Sequence, residues 1–295
     1  HMEYLTYQLM LVLNPGFDPK LLLQLDENLG YQAELQADAC NFLLNSKRRL
    51  NPYYACAEIL WHLSGEAYID RIKAYAPKYG RFVDSTGLAY GAYGPRMPDL
   101  LTIVDLLRKN PDSRRAVVVI WDQTRDLEQA LIDRLDIPCG VAWQFILRDS
   151  ALHMICTMRS NDIWFAMPYD IFANTTIQRL LAGQLKVNCG KYIHQVGSLH
   201  IYEKNWEAAQ EALAQSTHIS ETHNWHNLHH QLEDWSIKEA LKYETAAHKQ
   251  QIMPVVPSNR IFYDLAITCA HKWDSLVLPR SPILKRAIYA YNRRN

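Results

Sequence analysis

Asp136-Ile137-Pro138-Cys139-Gly140-Val141-Ala142-Trp143-Gln144-Phe145 is the stretch on which the reading of this chain turns. A cysteine directly after a proline stands at the mouth of an apolar run that predicts a buried strand. Downstream, Met158-Arg159-Ser160-Asn161-Asp162 brings a cation and a hydroxyl, and Met167-Pro168-Tyr169-Asp170 brings a carboxylate. Gly197-Ser198-Leu199-His200-Ile201-Tyr202 adds an imidazole and a phenol, and Asn110-Pro111-Asp112-Ser113-Arg114-Arg115 upstream adds an arginine pair. A reactive thiol, an anion site and polar groups able to read a small planar ring point to chemistry on a nucleotide base. Each fragment alone is weak; their order along one chain carries the reading.

Bulk properties narrow the class. A chain of 295 residues, 48% hydrophobic, is one large domain or two modest ones, and no repeat or linker divides it. Net charge is zero and pI near 7.3, so no global basic field attracts nucleic acid, and an anionic substrate must be held by local arginines. The six cysteines show no Cys-x-x-Cys pair or metal spacing, which fits reduced thiols in a cytosolic protein. No apolar run approaches the roughly 20 residues of a membrane helix. No signal peptide is visible, and the leading His1-Met2 reads as a tag remnant. The expectation is a soluble, cytoplasmic protein without membrane or specific nucleic-acid partners.

Along the chain, residues 1–30 are of ambiguous type, and Lys47-Arg48-Arg49 reads as a solvated turn. Residues 53–76 carry Ala55, Ile59, Leu60, Leu63, Ala67 and Ile72 at helical spacing and predict one long buried helix. Glu58 lies inside it, either exposed on the helix or buried and then paired or functional. Gly87 to Pro95 is a glycine and tyrosine loop lacking the lysine and spacing of a phosphate-binding loop. A helix is expected at 98–109, closed by Asn110-Pro111, then a buried strand from Ala116 to Trp121 and an amphipathic helix at 126–135. Strands follow near 140–148 and 151–158 with a turn at Arg148-Asp149-Ser150, then an amphipathic helix from Ile171 to Leu185, a strand at 191–202 and a helix at 205–215. The last eighty residues are less legible. Their His223, His226 and His229 have helical spacing, but without a cysteine or acidic ligand a solvated helix is the better reading, and no metal is expected. The pattern is an α+β fold around a large mixed sheet.

Cys139 is the cysteine set beside a turn with polar groups downstream. Nucleophilic use needs a lowered pKa, which Arg159 one strand away would supply. At this point the residues reach a family. Pro138-Cys139 with Gln144-Phe145, Arg159-Ser160-Asn161-Asp162, His200-Ile201-Tyr202, the Arg114-Arg115 pair, Glu58-Ile59-Leu60-Trp61 with Gly65, and Tyr93-Gly94 resemble the motifs of the thymidylate synthase family. The resemblance runs from about residue 44 to 205 and leaves 206–295 divergent within a single domain spanning 1–295. One departure is Asp170, where those enzymes carry asparagine. The same change, with Met158 to Asp162 and Gly197 to His200, resembles the deoxycytidylate hydroxymethylases of phages. Cytosine reverses the polarity of uracil at positions 3 and 4. A carboxylate accepts from N4 and, when protonated, donates to N3, whereas an ionised one is repelled by uracil O4.

The resemblance implies a homodimer joined through the sheet face, with Arg114 and Arg115 donated to the partner's phosphate site, and a cytoplasmic setting in a bacterium or phage-infected host. It implies 5,10-methylenetetrahydrofolate as cofactor and a pyrimidine nucleoside monophosphate as partner. Cys139 would add to C6, Asp170 would assist at N3, and Glu58 would manage proton transfers. Arg159, Ser160, Arg114 and Arg115 would hold the phosphate, His200 and Tyr202 the sugar, and Gln144 and Tyr93 would also contact substrate. Asp162, Arg49 and Trp61 would contact the folate. The expected reaction is 5-hydroxymethylation of dCMP. A dCMP 5-methylase, a CMP 5-hydroxymethylase and a thymidylate synthase acting on dUMP stay open, as does a non-catalytic nucleotide- or RNA-binding regulator. No arginine precedes Arg48 to supply the family's N-terminal phosphate loop, so Lys20 or Lys47 would have to stand in. Tyr79 and Phe82 replace the shielding tryptophans, and Gly140 replaces the usual histidine after the nucleophile. Both changes are expected to leave room for a water.

Overall fold

The computed structural model describes residues 27–36, 41–45, 47–83, 85–214 and 235–293. It is the expected α+β architecture, a five-stranded mixed sheet flanked by helices. The strands are β1 (Glu27–Gln36), β2 (Val117–Val119), β3 (Gly140–Arg148), β4 (Ala151–Asp162) and β5 (Asn188–His200), in the order β1-β5-β4-β3-β2. β4 and β5 run parallel and every other neighbouring pair is antiparallel. Asp149 and Ser150 join β3 to β4 with both residues at positive φ, the mirror-image turn whose twist matches a two-residue hairpin.

The helices are α1 (Pro52–Ser64), α2 (Asp70–Lys73), α3 (Leu101–Lys109), α4 (Gln123–Leu131), α5 (Met167–Leu185), α6 (Trp206–Ala214), α7 (Ile237–His248), α8 (Arg260–His271) and α9 (Pro282–Asn292). The single helix expected over 53–76 is two pieces. Gly65 takes a left-handed φ of 74° as the cap of α1, and its N–H returns to the His62 carbonyl. Ala67 and Ile72 keep the apolar spacing across the break, so periodicity alone reads straight through it. α4 begins at Gln123 rather than 126 because the Asp122 side chain caps it, accepting from the Arg125 N–H.

α5 corrects the expectation of an amphipathic helix at 171–185. It starts four residues earlier, with Pro168 in its first turn, and is buried on every side. Ile171, Ile177 and Leu181 pack into the cluster over the sheet, while Tyr169, Phe172 and Leu180 pack into a second cluster with α1, α7, α8 and α9. Several of its buried polar groups find partners within the helix or on the sheet. Thr175 and Thr176 donate to carbonyls one turn back, and the Gln178 amide donates to Leu152, Gly190 and Lys191 carbonyls, bridging β4 and β5. The other face of the sheet leaves Ile146, Ile155 and Ile193 partly exposed, with Val117 and Val119 exposed on the edge strand. Among the described residues no helix is long and apolar enough to cross a membrane.

Candidate active site

Cys139 closes the loop before β3 and is held against the neighbouring strand, its carbonyl accepting from the Arg159 N–H at 2.8 Å. The Arg159 guanidinium donates to the Pro138 carbonyl at 2.9 Å and to Ile137 at 3.3 Å, and lies over Trp121. The cation is thus fixed by the loop that presents the thiol. Burial pushes the Cys139 thiol up; Arg159 pulls it down, and the charges of Asp170 and Asp136 add to the rise. The expected influence of Arg159 is present, but burial outweighs it, and the resting group is a thiol.

Two carboxyls face this centre. Asp170 lies in the first turn of α5, where the helix N-terminus favours an anion. Burial nevertheless raises it to about 7, against a lowering hydrogen bond from Asn161. Glu58, on α1, is raised to about 8 by burial and then by the Asp170 charge, with the Tyr54 hydroxyl donating to it and opposing the rise. No ion pair reaches either carboxyl among the described residues. Two acids in mutual range without a cation hold protons near neutral pH, the condition for general acid–base work.

An aromatic wall stands beside them. Tyr79 packs edge-on against Trp61 and Phe82, and burial raises its phenol, with Asp136, Glu58 and Cys139 adding to the shift. Trp61 is 1% exposed and its indole N–H donates to the Tyr68 carbonyl, so it backs Tyr79. Gly140 does not leave the expected room. A Cβ there would meet the ring and hydroxyl of Tyr93 at 2.9 Å, and the Gly140 N–H donates to that hydroxyl at 2.7 Å. Tyr93 in turn stacks on His62. The loop carrying Tyr93 is pinned by Arg96, which donates to both oxygens of Asp126 at 2.8 and 2.9 Å while Tyr90 donates at 2.8 Å. Burial alone would raise Asp126, but Arg96, the Asp122 N–H and Tyr90 together bring it below its ordinary value.

The remaining expected residues divide into three groups. Ser160, Asp162, His200 and Tyr202 come together where β4 and β5 end, with Ser160 opposite Ser198 and Asp162 opposite His200. One Asp162 oxygen accepts from the Trp164 and Phe165 N–H groups, leaving the other outside that turn. His200 meets Tyr202 edge-on, and Tyr202 is exposed. Arg114 and Arg115 are exposed before β2, and the Gln144 amide donates to the Arg114 carbonyl at 3.0 Å. Val117 pairs with Gln144, so Arg115 stands level with residue 146, roughly 20 Å along β3 from Gly140. Finally, Arg49 donates to the Tyr291 and Arg293 carbonyls at the C-terminal end of α9, and Lys47 is ion-paired with Glu211 at 2.8 Å. Arg48 corrects the solvated turn expected at 47–49, donating to the Trp164 and Phe165 carbonyls beneath those rings. Lys20 and the histidines at 223, 226, 229 and 230 lie outside the described residues, and no metal-binding cluster occurs among the described ones.

Sequence reasoning assigned no role to Asn161, His194, Tyr192, Tyr54 or the Arg96–Asp126 pair. Tyr192 and His194 alternate on β5 and both face the core. Polar residues at two inward positions of one strand were the available signal.

The family model for thymidylate synthase matches residues 24–255, more than half of the chain, and the chain belongs to that family. The match extends beyond the 44–205 that the motifs mark, taking in β1, α6 and α7. The family carries out folate-dependent one-carbon transfer to C5 of a pyrimidine nucleotide.

Proposed function

We propose that this member of the thymidylate synthase family acts on a cytidine 5′-monophosphate, dCMP being the form its motifs resemble. It would transfer the one-carbon unit to C5 and add water, releasing 5-hydroxymethyl-dCMP and tetrahydrofolate. The supporting observation is Asp170, recessed, without a cation and raised to about 7. A carboxyl so poised takes a proton at neutral pH, donates it to cytosine N3 and accepts from N4. Uracil, with an N3–H and an accepting O4, offers the wrong polarity to a protonated acid at N3.

Cys139 attacks C6 once deprotonated, with Arg159 stabilising the thiolate, and Asp170 protonates N3 so that C5 gains electron density. Glu58 then relays the C5 proton, and the Tyr54 hydroxyl holds its carboxyl in place. Bound methylenetetrahydrofolate would supply the one-carbon unit. Asp162, with one oxygen outside its turn, fits the pterin, while Trp61 would act through Tyr79 and Arg49 from the α9 side. Tyr79 puts a hydroxyl, near Glu58 and Cys139, into an otherwise aromatic wall, where it can hold the water that ends the reaction. Ser160 and Arg159 would bind phosphate, and His200 and Tyr202 the sugar. Arg114 and Arg115 stand too far along β3 to serve their own Cys139, which supports their donation across a dimer built on the open sheet face.

A second reading has its own observation. Tyr93 fills the space at Gly140, and the wall of Trp61, Tyr79 and Phe82 is continuous, which favours a drier pocket and a dCMP methylase finishing by hydride transfer. One experiment separates the two. dCMP, CMP and dUMP are each incubated with methylenetetrahydrofolate in ¹⁸O-water, and the products are weighed. A 5-hydroxymethyl cytosine nucleotide carrying the label, with no dihydrofolate, is expected. A 5-methyl product with stoichiometric dihydrofolate would make the enzyme a methylase, and turnover of dUMP alone would overturn the cytosine assignment.

A further inference from the structure

Behind Asp170 runs a line of buried polar side chains that the reaction scheme does not use. Asn161 Nδ2 lies 2.7 Å from Asp170 Oδ2, and Asn161 Oδ1 lies 2.9 Å from His194 Nε2. His194 Nδ1 is 2.8 Å from the Tyr192 hydroxyl, which accepts from Asn174 Nδ2 at 3.1 Å. Asn161, His194, Tyr192 and Asn174 are all at least 96% buried, so an unmade bond in this line is costly.

The direction of this chain follows from its two ends. An unprotonated Asp170 Oδ2 can only accept, and Asn161 then presents its amide N–H to Asp170 and its oxygen to His194. His194 must then carry its proton on Nε2, which leaves a lone pair on Nδ1 for the Tyr192 O–H. Tyr192 uses an oxygen lone pair for the Asn174 amide, which also points at the Cys156 sulfur 3.2 Å away. Burial holds the imidazole neutral, pushed down to about 4, so a second ring proton does not scramble the order. The reverse polarity requires a proton on Asp170 Oδ2, a flipped Asn161 and an Nδ1–H imidazole, and it turns the Tyr192 O–H from a ring nitrogen to the Cys156 sulfur, a weaker acceptor.

We propose that the Asn161–His194–Tyr192 chain keeps Asp170 Oδ2 an acceptor and so directs the catalytic proton to Oδ1, making these three the positioning residues for cytosine selection. This rests on the cytosine reading above. With the proton on Oδ1, that oxygen donates to N3 while Oδ2 has a lone pair left for the N4 amino group. With the proton on Oδ2 it would be spent on Asn161, and N3 would face no donor. The titratable groups that face Asp170 are Glu58 from α1, Tyr93 and Cys139 from the loops, Cys156 from β4 and Tyr192 from β5.

The test uses Tyr192→Phe, which removes one oxygen and keeps the ring, with His194→Phe as a second variant. Imidazole ¹⁵N shifts of the nucleotide-free protein should show His194 as the Nε2–H tautomer, moving to a mixture in Tyr192→Phe. Released from that lock, Asn161 can turn its oxygen to Asp170. The cytosine-to-uracil ratio of kcat/KM should then fall about fivefold, the equivalent of one hydrogen bond. The alkaline limb of the pH profile should move up in both variants. An Nδ1–H tautomer in the parent protein would overturn the proposal. So would variants that lose Tm but keep the base ratio and the pH midpoint, since that is a purely structural role. Failure of the cytosine reading shows differently: the parent prefers uracil nucleotides while the Nε2–H signal is intact.

Discussion

Two pairs of recessed carboxyls in this molecule are partnered in opposite ways. Asp126 is fully buried with Arg96 on both of its oxygens, and Glu244 is 1% exposed with Arg71 and the Tyr75 hydroxyl beside it. Both tie loops and helices together. Among the described residues Asp170 and Glu58 have amide and hydroxyl donors but no cation, and both are raised toward neutrality. A charge paired with arginine is fixed as an ion and cannot move a proton at neutral pH. Charges left without a cation can. The comparison separates acids fixed as ions from acids able to exchange a proton; Asp264, raised to about 6 by burial while the Arg280 and Ser281 N–H groups donate to it, shows that a scaffold acid can share the second condition.

The widest gap between the two pairs is in turnover. Glu58→Gln should lower kcat by roughly 10²–10⁴ while leaving the folded state intact, because no partner ion is stranded. A loss below tenfold, measured with the nucleotide found to be turned over, would remove Glu58 from the proton path. Asp126→Ala should do the reverse. It leaves Arg96 without its partner and should cost about 3–5 kcal/mol of stability by denaturant titration, with kcat per folded molecule changing little. A variant as stable as the parent would show the pair to be dispensable.

The smallest effects come from Asp170→Asn. Base preference should shift from cytosine toward uracil nucleotides by roughly 5- to 150-fold, the ~1–3 kcal/mol of a mismatched buried pair. Stability should respond with a definite sign. A folded-state pKa raised from the ordinary carboxylate range to about 7 means the folded form binds more protons. That contribution is fully present below the unfolded pKa and is lost as pH rises through about 7, by up to ~1.4 kcal/mol per unit. Asp170→Asn should therefore unfold at a higher temperature than the parent at pH 8.5, by a margin that narrows as pH falls and closes at about pH 3.5, below the unfolded pKa. Identical pH–Tm curves would mean that folding leaves the Asp170 pKa unshifted, and a parent that loses its advantage over the variant as pH falls would place Asp170 among the paired acids.

The same contrast explains what could be read from the sequence. Cys139, Glu58, Arg159, Asp162, Asp170 and His200 stand out in the sequence as candidates because they fall in motifs of fixed order, three of them on strongly patterned strands. Partners that act only through other residues left no such mark. His194 and Tyr192 read as ordinary strand positions, and Arg96 and Asp126 stand thirty residues apart with nothing local to join them. β1 was missed although Tyr31, Ala33 and Leu35 alternate inward, since the pattern is short and Gly30 interrupts it. The break at Gly65 was missed because a glycine cap is invisible to an apolar count. α5 reads as amphipathic because its Asn174, Thr175, Thr176 and Gln178 look solvent-facing, whereas hydrogen bonding lets them face protein.

That burial of α5 bears on how the molecule unfolds. The helix is 19 residues long, roughly 28 Å, and each of its sides belongs to a different apolar cluster. If α7, α8 and α9 detached while the sheet stood, Tyr169, Phe172 and Leu180 would be left in water at a cost of roughly 2 kcal/mol each. If the sheet opened first, Ile171, Ile177 and Leu181 would face the same penalty. Half-folded forms are disfavoured from both directions, and the helix that carries Asp170 makes the two layers cooperative.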